Sequence, residues 1–144
     1  MRARAGIVIA SLSAIGLVGC AERATGPKPT ATPRRVEARR VGLASYYGSD
    51  FHGKTAASGV AFDMNAMVAA HPSYPFGTIV RVTNLRNGRS VRVQIVDRGP
   101  ASGPQADGVI IDVSRRAARE LGFIQSGRAR VRLDVLRWGS KTTE

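Results

Sequence analysis

In the stretch Val91–Gly103, VRVQIVDRGPASG, an acid stands where one kind of backbone gives way to another. Val91, Val93 and Ile95 alternate with Arg92 and Gln94, the period of a strand with one buried face. Asp97 then meets Arg98, Gly99 and Pro100, and Gly-Pro cannot continue a sheet. A carboxylate fixed at a strand end beside a loop can take up or deliver a proton. An acid in that place can equally do no more than cap a turn, and the stretch alone leaves both open. His71, within AAHPSYP, carries the side chain that titrates near neutrality; it is a proton carrier or a loop histidine bonded to backbone. The other histidine is His52, and two histidines without a clear carboxylate partner make a poor zinc set. No metal and no cofactor are expected.

The elements that must position these residues are short. Val41–Tyr47 reads as a first strand, and Gly48–Gly59 as a glycine- and serine-containing loop carrying Phe51, His52, Lys54 and Thr55. Ala66–Ala70 is an apolar run that His71-Pro72 breaks, and Pro75-Phe76-Gly77 makes a turn. Thr78–Asn84 and Arg89–Val96 alternate as strands around Asn87-Gly88, a strong hairpin signal because both residues tolerate positive φ. Val109–Val113 is an apolar strand. Ser114 then caps a helix over Arg115–Leu121 that Gly122 closes, and Arg128–Leu136 is the last alternating strand. Several short strands and little helix predict a small closed barrel, since closure removes exposed edges. Alternation sends Tyr46 and Tyr47 to opposite sides, so one of them belongs to the core.

The chain has 144 residues, room for one domain, and a formal charge of +12. That charge suits a polyanion: nucleic acid, anionic lipid or an acidic wall polymer. The arginines are dispersed through strands and no nucleic-acid signature follows, so nucleic acid is not expected as a partner. The single cysteine, Cys20, excludes a disulfide framework and a cysteine-rich metal site.

Residues 1–19 read as a signal segment. Arg2 and Arg4 precede an apolar run, Ala5–Val18, too short to span a membrane comfortably. It ends in Leu17-Val18-Gly19-Cys20, which resembles a bacterial lipobox and implies a diacylglyceryl group on Cys20. With Ala21 next, the resemblance implies sorting to the outer membrane, facing the periplasm. Residues 20–40, rich in proline and arginine and without apolar periodicity, are expected to be an extended tether; residues 41–137 are the barrel and 138–144 a short tail.

Taken together, GLASYYG (Gly42–Gly48), FHGKTAASG (Phe51–Gly59), FDMNAMVAAHPSYPFGTIVRVTNLRNGRSV (Phe62–Val91), DRGP (Asp97–Pro100) and IDVSRRAARELG (Ile111–Gly122) resemble the rare lipoprotein A family. The resemblance implies a mainly β fold, a six-stranded double-psi β-barrel with one or two short helices. It implies a lytic transglycosylase that cuts between N-acetylmuramic acid and N-acetylglucosamine and leaves a 1,6-anhydro sugar, in wall remodelling and septation. Its partners would be peptidoglycan strands, the membrane through the anchor, and the division machinery, with the protein a monomer.

On this reading Asp97 and His71 are the catalytic pair. Asp112 joins them, because related expansin-like barrels hold a functional aspartate in a comparable Asp-Leu-Ser segment, here Asp112-Val113-Ser114; a helix-start acid is the alternative. Tyr46, Tyr47, Phe51, Thr55 and Arg98 are the expected substrate contacts. The chain departs from the family twice. With the sequence ending at Glu144, the further peptidoglycan-binding module of many members is expected to be missing, and Val60 stands where the family pattern Ser-Gly-Glu-x-Phe-Asp has its glutamate. Val60 can neither donate nor accept a proton, so a barrel that binds glycan without cutting it is the alternative function.

Overall fold

A computed structural model describes residues 35–140. Six strands, β1 (Ala38–Tyr46), β2 (Val68–Ala70), β3 (Ile79–Asn84), β4 (Ser90–Asp97), β5 (Val109–Val113) and β6 (Ala129–Arg137), close into a barrel in the order β1-β5-β2-β4-β3-β6. β1 runs parallel to β5 and β2 parallel to β4; the other neighbours are antiparallel. Alternation explains the core: Val80 and Val82 of β3, Val91, Val93 and Ile95 of β4, and Val131, Leu133 and Val135 of β6 all turn inward and are buried.

Two short α-helices and one 3-10 turn, Ser49–Phe51, accompany the strands. In α1 (Ser102–Ala106) no residue is buried. In α2 (Arg115–Leu121) Ala117, Ala118 and Leu121 pack on the core. As predicted, the Ser114 hydroxyl accepts the Ala117 N–H and Gly122 ends the helix, at φ 79°.

Three details differ from the sequence reading. β1 begins at Ala38, because the backbone of Ala38–Arg40 pairs with Leu133–Val135 of β6. The apolar run before His71 is a strand, β2, held between β4 and β5. The hairpin at Asn87-Gly88 spans residues 85–89: Gly88 takes φ 75°, while the Asn87 amide reaches the Leu121 carbonyl at 2.9 Å. The signal segment, Cys20, most of the tether and the last four residues lie outside the described residues.

Candidate functional site

The site is made by strand register. Ala70 of β2 is paired with Asp97 of β4 on one side and with Asp112 of β5 on the other, and Asp112 is paired in turn with Ser45 of β1. Alternation from Val91, Val93 and Ile95 would send Asp97 into the core. An irregularity sets Ile95 against Ala69 but Asp97 against Ala70, so Val96 is taken up as an extra, buried residue and Asp97 turns outward. Two carboxylates therefore stand on one wall, their backbones separated by two strand spacings, roughly 10 Å.

Gly99 closes the gap between them. A Cβ there would meet Ala70 Cβ at 3.4 Å, Asp112 Oδ2 at 3.5 Å and the Tyr47 hydroxyl at 3.6 Å, and Gly99 holds φ +153°. The loop after Asp97 thus folds back over Ala70 because glycine adopts this backbone without a side chain in the way.

Asp97 has both oxygens occupied. Tyr47 donates to Oδ2 at 3.0 Å, and the N–H groups of Ala57 and Arg98 donate to Oδ1, each at 2.8 Å. Burial, then the charge of Asp97 and its hydrogen bond, and then Asp112, push the Tyr47 hydroxyl well above its ordinary pKa, so it is a fixed donor. Asp112 is less enclosed by partners. Its Oδ1 accepts the Ser45 hydroxyl. Burial raises its carboxyl above the usual range, against the Ser45 hydrogen bond and the charge of Arg128, which lower it. Asp112 lines a surface groove of about 320 Å³ with Ser45, Tyr46, Tyr47, Phe51 and Arg98.

The predicted aromatic pair divides as alternation requires. Tyr46 meets Phe123 edge-on at 5.9 Å, and its hydroxyl donates to the Ile124 carbonyl. Tyr47 is held between Phe51 and Phe62, with ring centroids at 5.2 and 4.4 Å. Phe51 remains 43% exposed, with Lys54 Nζ above its ring, and offers the groove an open stacking face. Arg98 is largely committed: its Nη1 donates to the Tyr74 carbonyl at 2.7 Å and the His71 carbonyl at 3.3 Å, and its guanidinium lies 3.9 Å over Phe76. Thr55 bridges Ala61 across a loop outside the groove lining.

His71 adjoins Asp97 through backbone, its N–H donating to the Asp97 carbonyl at 3.2 Å, but its ring points elsewhere. Nδ1 accepts the N–H groups of Ser73 and Tyr74, at 3.1 and 3.0 Å, and the ring stacks on Tyr74 with centroids 3.5 Å apart. These partners assign the neutral ring's proton to Nε2. Nε2 is buried without a partner among the described residues. Burial, then the charges of Arg40 and Arg98, lower the imidazole pKa to about 4. At neutral pH His71 is therefore an N–H donor. It lines a second recess of about 210 Å³ with Arg40, Ser73 and Gln105. The segment after Gly99 separates the two recesses: Ala101 and Pro104 line the first, and Gln105 donates to the Pro100 carbonyl at 2.7 Å.

Sequence reasoning missed Ser45 and Gly99, since both act through strand register and no local motif marks them. Val60 is 49% exposed on the loop between Thr55 and Ala61, whose Ala57 N–H holds Asp97. His52 Nδ1 accepts the Met64 N–H at 3.2 Å and lies 3.7 Å from Asp63.

A closed double-psi barrel with a groove lined by Ser45 and Tyr46 of β1 and Asp112 of β5 is the class defined by this architecture. The sequence pattern of the lytic transglycolase family matches residues 39–133, and the chain belongs to that family. It is 43% identical over 114 residues to the endolytic peptidoglycan transglycosylase RlpA of Neisseria meningitidis, covering 79% of this chain and 46% of the relative. To the probable endolytic peptidoglycan transglycosylase RlpA of a Synechocystis species it is 50% identical over 106 residues, 74% of this chain and 31% of the relative. The chain thus spans less than half of the length of these curated relatives. Among solved structures it resembles an expansin of Clavibacter michiganensis (26% identity, TM-score 0.55, 74% of this chain and 54% of the expansin). The Streptomyces papain inhibitor shares the fold at 22% identity, TM-score 0.55, over 71% of this chain and 97% of the inhibitor.

Proposed function

We propose that the barrel cleaves peptidoglycan glycan strands as an endolytic lytic transglycosylase. The bond between C1 of N-acetylmuramic acid and O4 of N-acetylglucosamine breaks, O4 takes a proton, and the muramoyl O6 bonds to C1 as its hydroxyl proton leaves. The reaction needs an acid first and a base second, and one carboxyl can serve as both.

The observation that carries the assignment is Asp112. It lines the groove, burial favours its protonated form, and only Oδ1 has a protein hydrogen-bond partner among the described residues. Asp112 donates to O4 and then, ionised, receives the proton from O6. Asp97, with Tyr47 and Ala57 bound to it, fixes the groove wall and the loop beside it. His71, whose Nε2 is buried and whose recess lies apart from the groove, supports the wall by holding the Ser73 and Tyr74 N–H groups, and Phe51 stacks on a sugar face.

A second reading, glycan binding without cleavage, is favoured by Val60, an exposed apolar side chain at the family's glutamate position. Digestion of purified sacculi by Pro33–Glu144, a compact unit of its own, separates the two. Anhydro-ended fragments from the parent support cleavage. Their absence from the parent with appearance in Val60→Glu supports the binder.

We also propose anchoring through Cys20 at the outer membrane, with action as a monomer beside the division machinery. Labelling with radioactive palmitate that Cys20→Ser abolishes would support the anchor.

A further inference from the structure

The barrel carries a second organised surface, on the wall across from Asp112 and Ala70. Around the closed sheet β1-β5-β2-β4-β3-β6, the pair β5 and β2, with Asp112 and Ala70, lies across the barrel from the pair β3 and β6. On that far wall the register aligns Arg39 of β1, Asp134 of β6, Arg81 of β3 and Arg92 of β4 in one row. Asp134 has no solvent exposure because arginine side chains cover it. Arg39 Nε reaches its Oδ1 at 2.6 Å; Arg81 Nη2 and Arg132 Nε reach Oδ2 at 2.9 and 3.2 Å.

Asp134 thereby holds three arginines together while neutralising one charge. Arg39 and Arg132 use Nε for it, and among the described residues no acceptor is bonded to their Nη groups; the Arg39 side chain is 58% exposed and that of Arg132 34%. With Arg92 exposed beside Arg81, the row and Arg132 carry four cations against one acid.

We propose that this wall docks on an anionic phospholipid surface. The charge is complementary to phosphate, and the register sets the arginines in a row of donors across β1, β3 and β4. Docked this way, the barrel turns the Asp112 groove away from the lipid. The docking does not depend on the groove's chemistry.

The test is co-sedimentation of Pro33–Glu144 with vesicles of phosphatidylcholine, with and without a third phosphatidylglycerol. Binding is expected only to the anionic vesicles and is lost at high salt. Arg92 touches neither Asp134 nor the groove, so Arg92→Gln keeps the fold and weakens binding about fivefold, the equivalent of roughly 1 kcal/mol per basic residue at a lipid surface. Arg119→Gln, an equal loss of charge on helix α2, leaves binding unchanged. Equal weakening by both variants would reduce the effect to net charge and overturn the proposal. So would the absence of vesicle binding, or retention of the row by purified sacculi but not by lipid. Sacculus digestion that is the same for Arg92→Gln and the parent separates failure here from failure of the proposed activity.

Discussion

The Tyr47 hydroxyl is bound to Asp97 Oδ2 at 3.0 Å while its ring is wedged between Phe51 and Phe62. One side chain thus ties the open stacking face, the acid at the end of β4 and the groove floor together. Tyr47→Phe keeps the ring and removes the donor. The expected loss of stability is about 1.5–3 kcal/mol, the worth of a hydrogen bond to a charged group. Sacculus digestion is expected to fall at least tenfold, because the Asp97 carboxylate loses a fixed partner. Thermal denaturation beside a product assay checks the split.

Asp112 is assigned the proton that goes to the leaving oxygen, so activity is expected to decline as pH rises through its raised pKa. The Ser45 hydrogen bond lowers that pKa. Ser45→Ala should therefore move the alkaline limb of the pH–rate profile to higher pH. A limb that moves to lower pH, or does not move, contradicts the assignment.

His71 ties stability to pH. In the folded protein its imidazole stays neutral down to about pH 4, whereas an unfolded chain takes up the proton near 6.5. Between these values the unfolded state binds more protons, so stability is complete at neutral pH and falls as pH drops from about 6.5 toward 4. His71→Asn retains an acceptor for the Ser73 and Tyr74 N–H groups and should flatten that part of the curve. Urea denaturation across the range measures it.

Asp134 predicts a separate, more acidic window. Burial opposes its ionisation, but the hydrogen bonds from Arg39, Arg81 and Arg132 outweigh this and hold its carboxyl below the usual 3.8. Its contribution is present above the unfolded value and is lost as pH falls through the lower folded one. Asp134→Asn should lower stability at pH 7 by about 2 kcal/mol, a hydrogen bond to a charged group being worth this much. The acid limb below pH 4 should shrink with it.

Elements set by local chemistry were legible in the sequence. The Ser114 cap and Gly122 bound α2 where predicted, and Val109–Val113 forms the strand its apolar run required. Features set by pairing were not. Whether Asp97 faces in or out depends on how Val96 is accommodated against β2, a strand of three residues that no periodicity marks. Ser45 meets Asp112 across 67 residues of chain, and nothing near either residue encodes that meeting. The sequence named Tyr47, Asp97, Asp112 and His71, but the direction of the His71 ring is fixed by Ser73 and Tyr74 through backbone N–H groups that residue types do not reveal.

The most direct measurement is the mass spectrum of material released from purified sacculi by Pro33–Glu144 and by its Asp112→Asn variant, with the Tm of both recorded. The parent should release fragments ending in 1,6-anhydro-N-acetylmuramic acid, and Asp112→Asn should release none at an unchanged Tm. Sacculi that bind the parent but yield no anhydro ends, or equal yields from both proteins, would contradict cleavage by Asp112 in this groove.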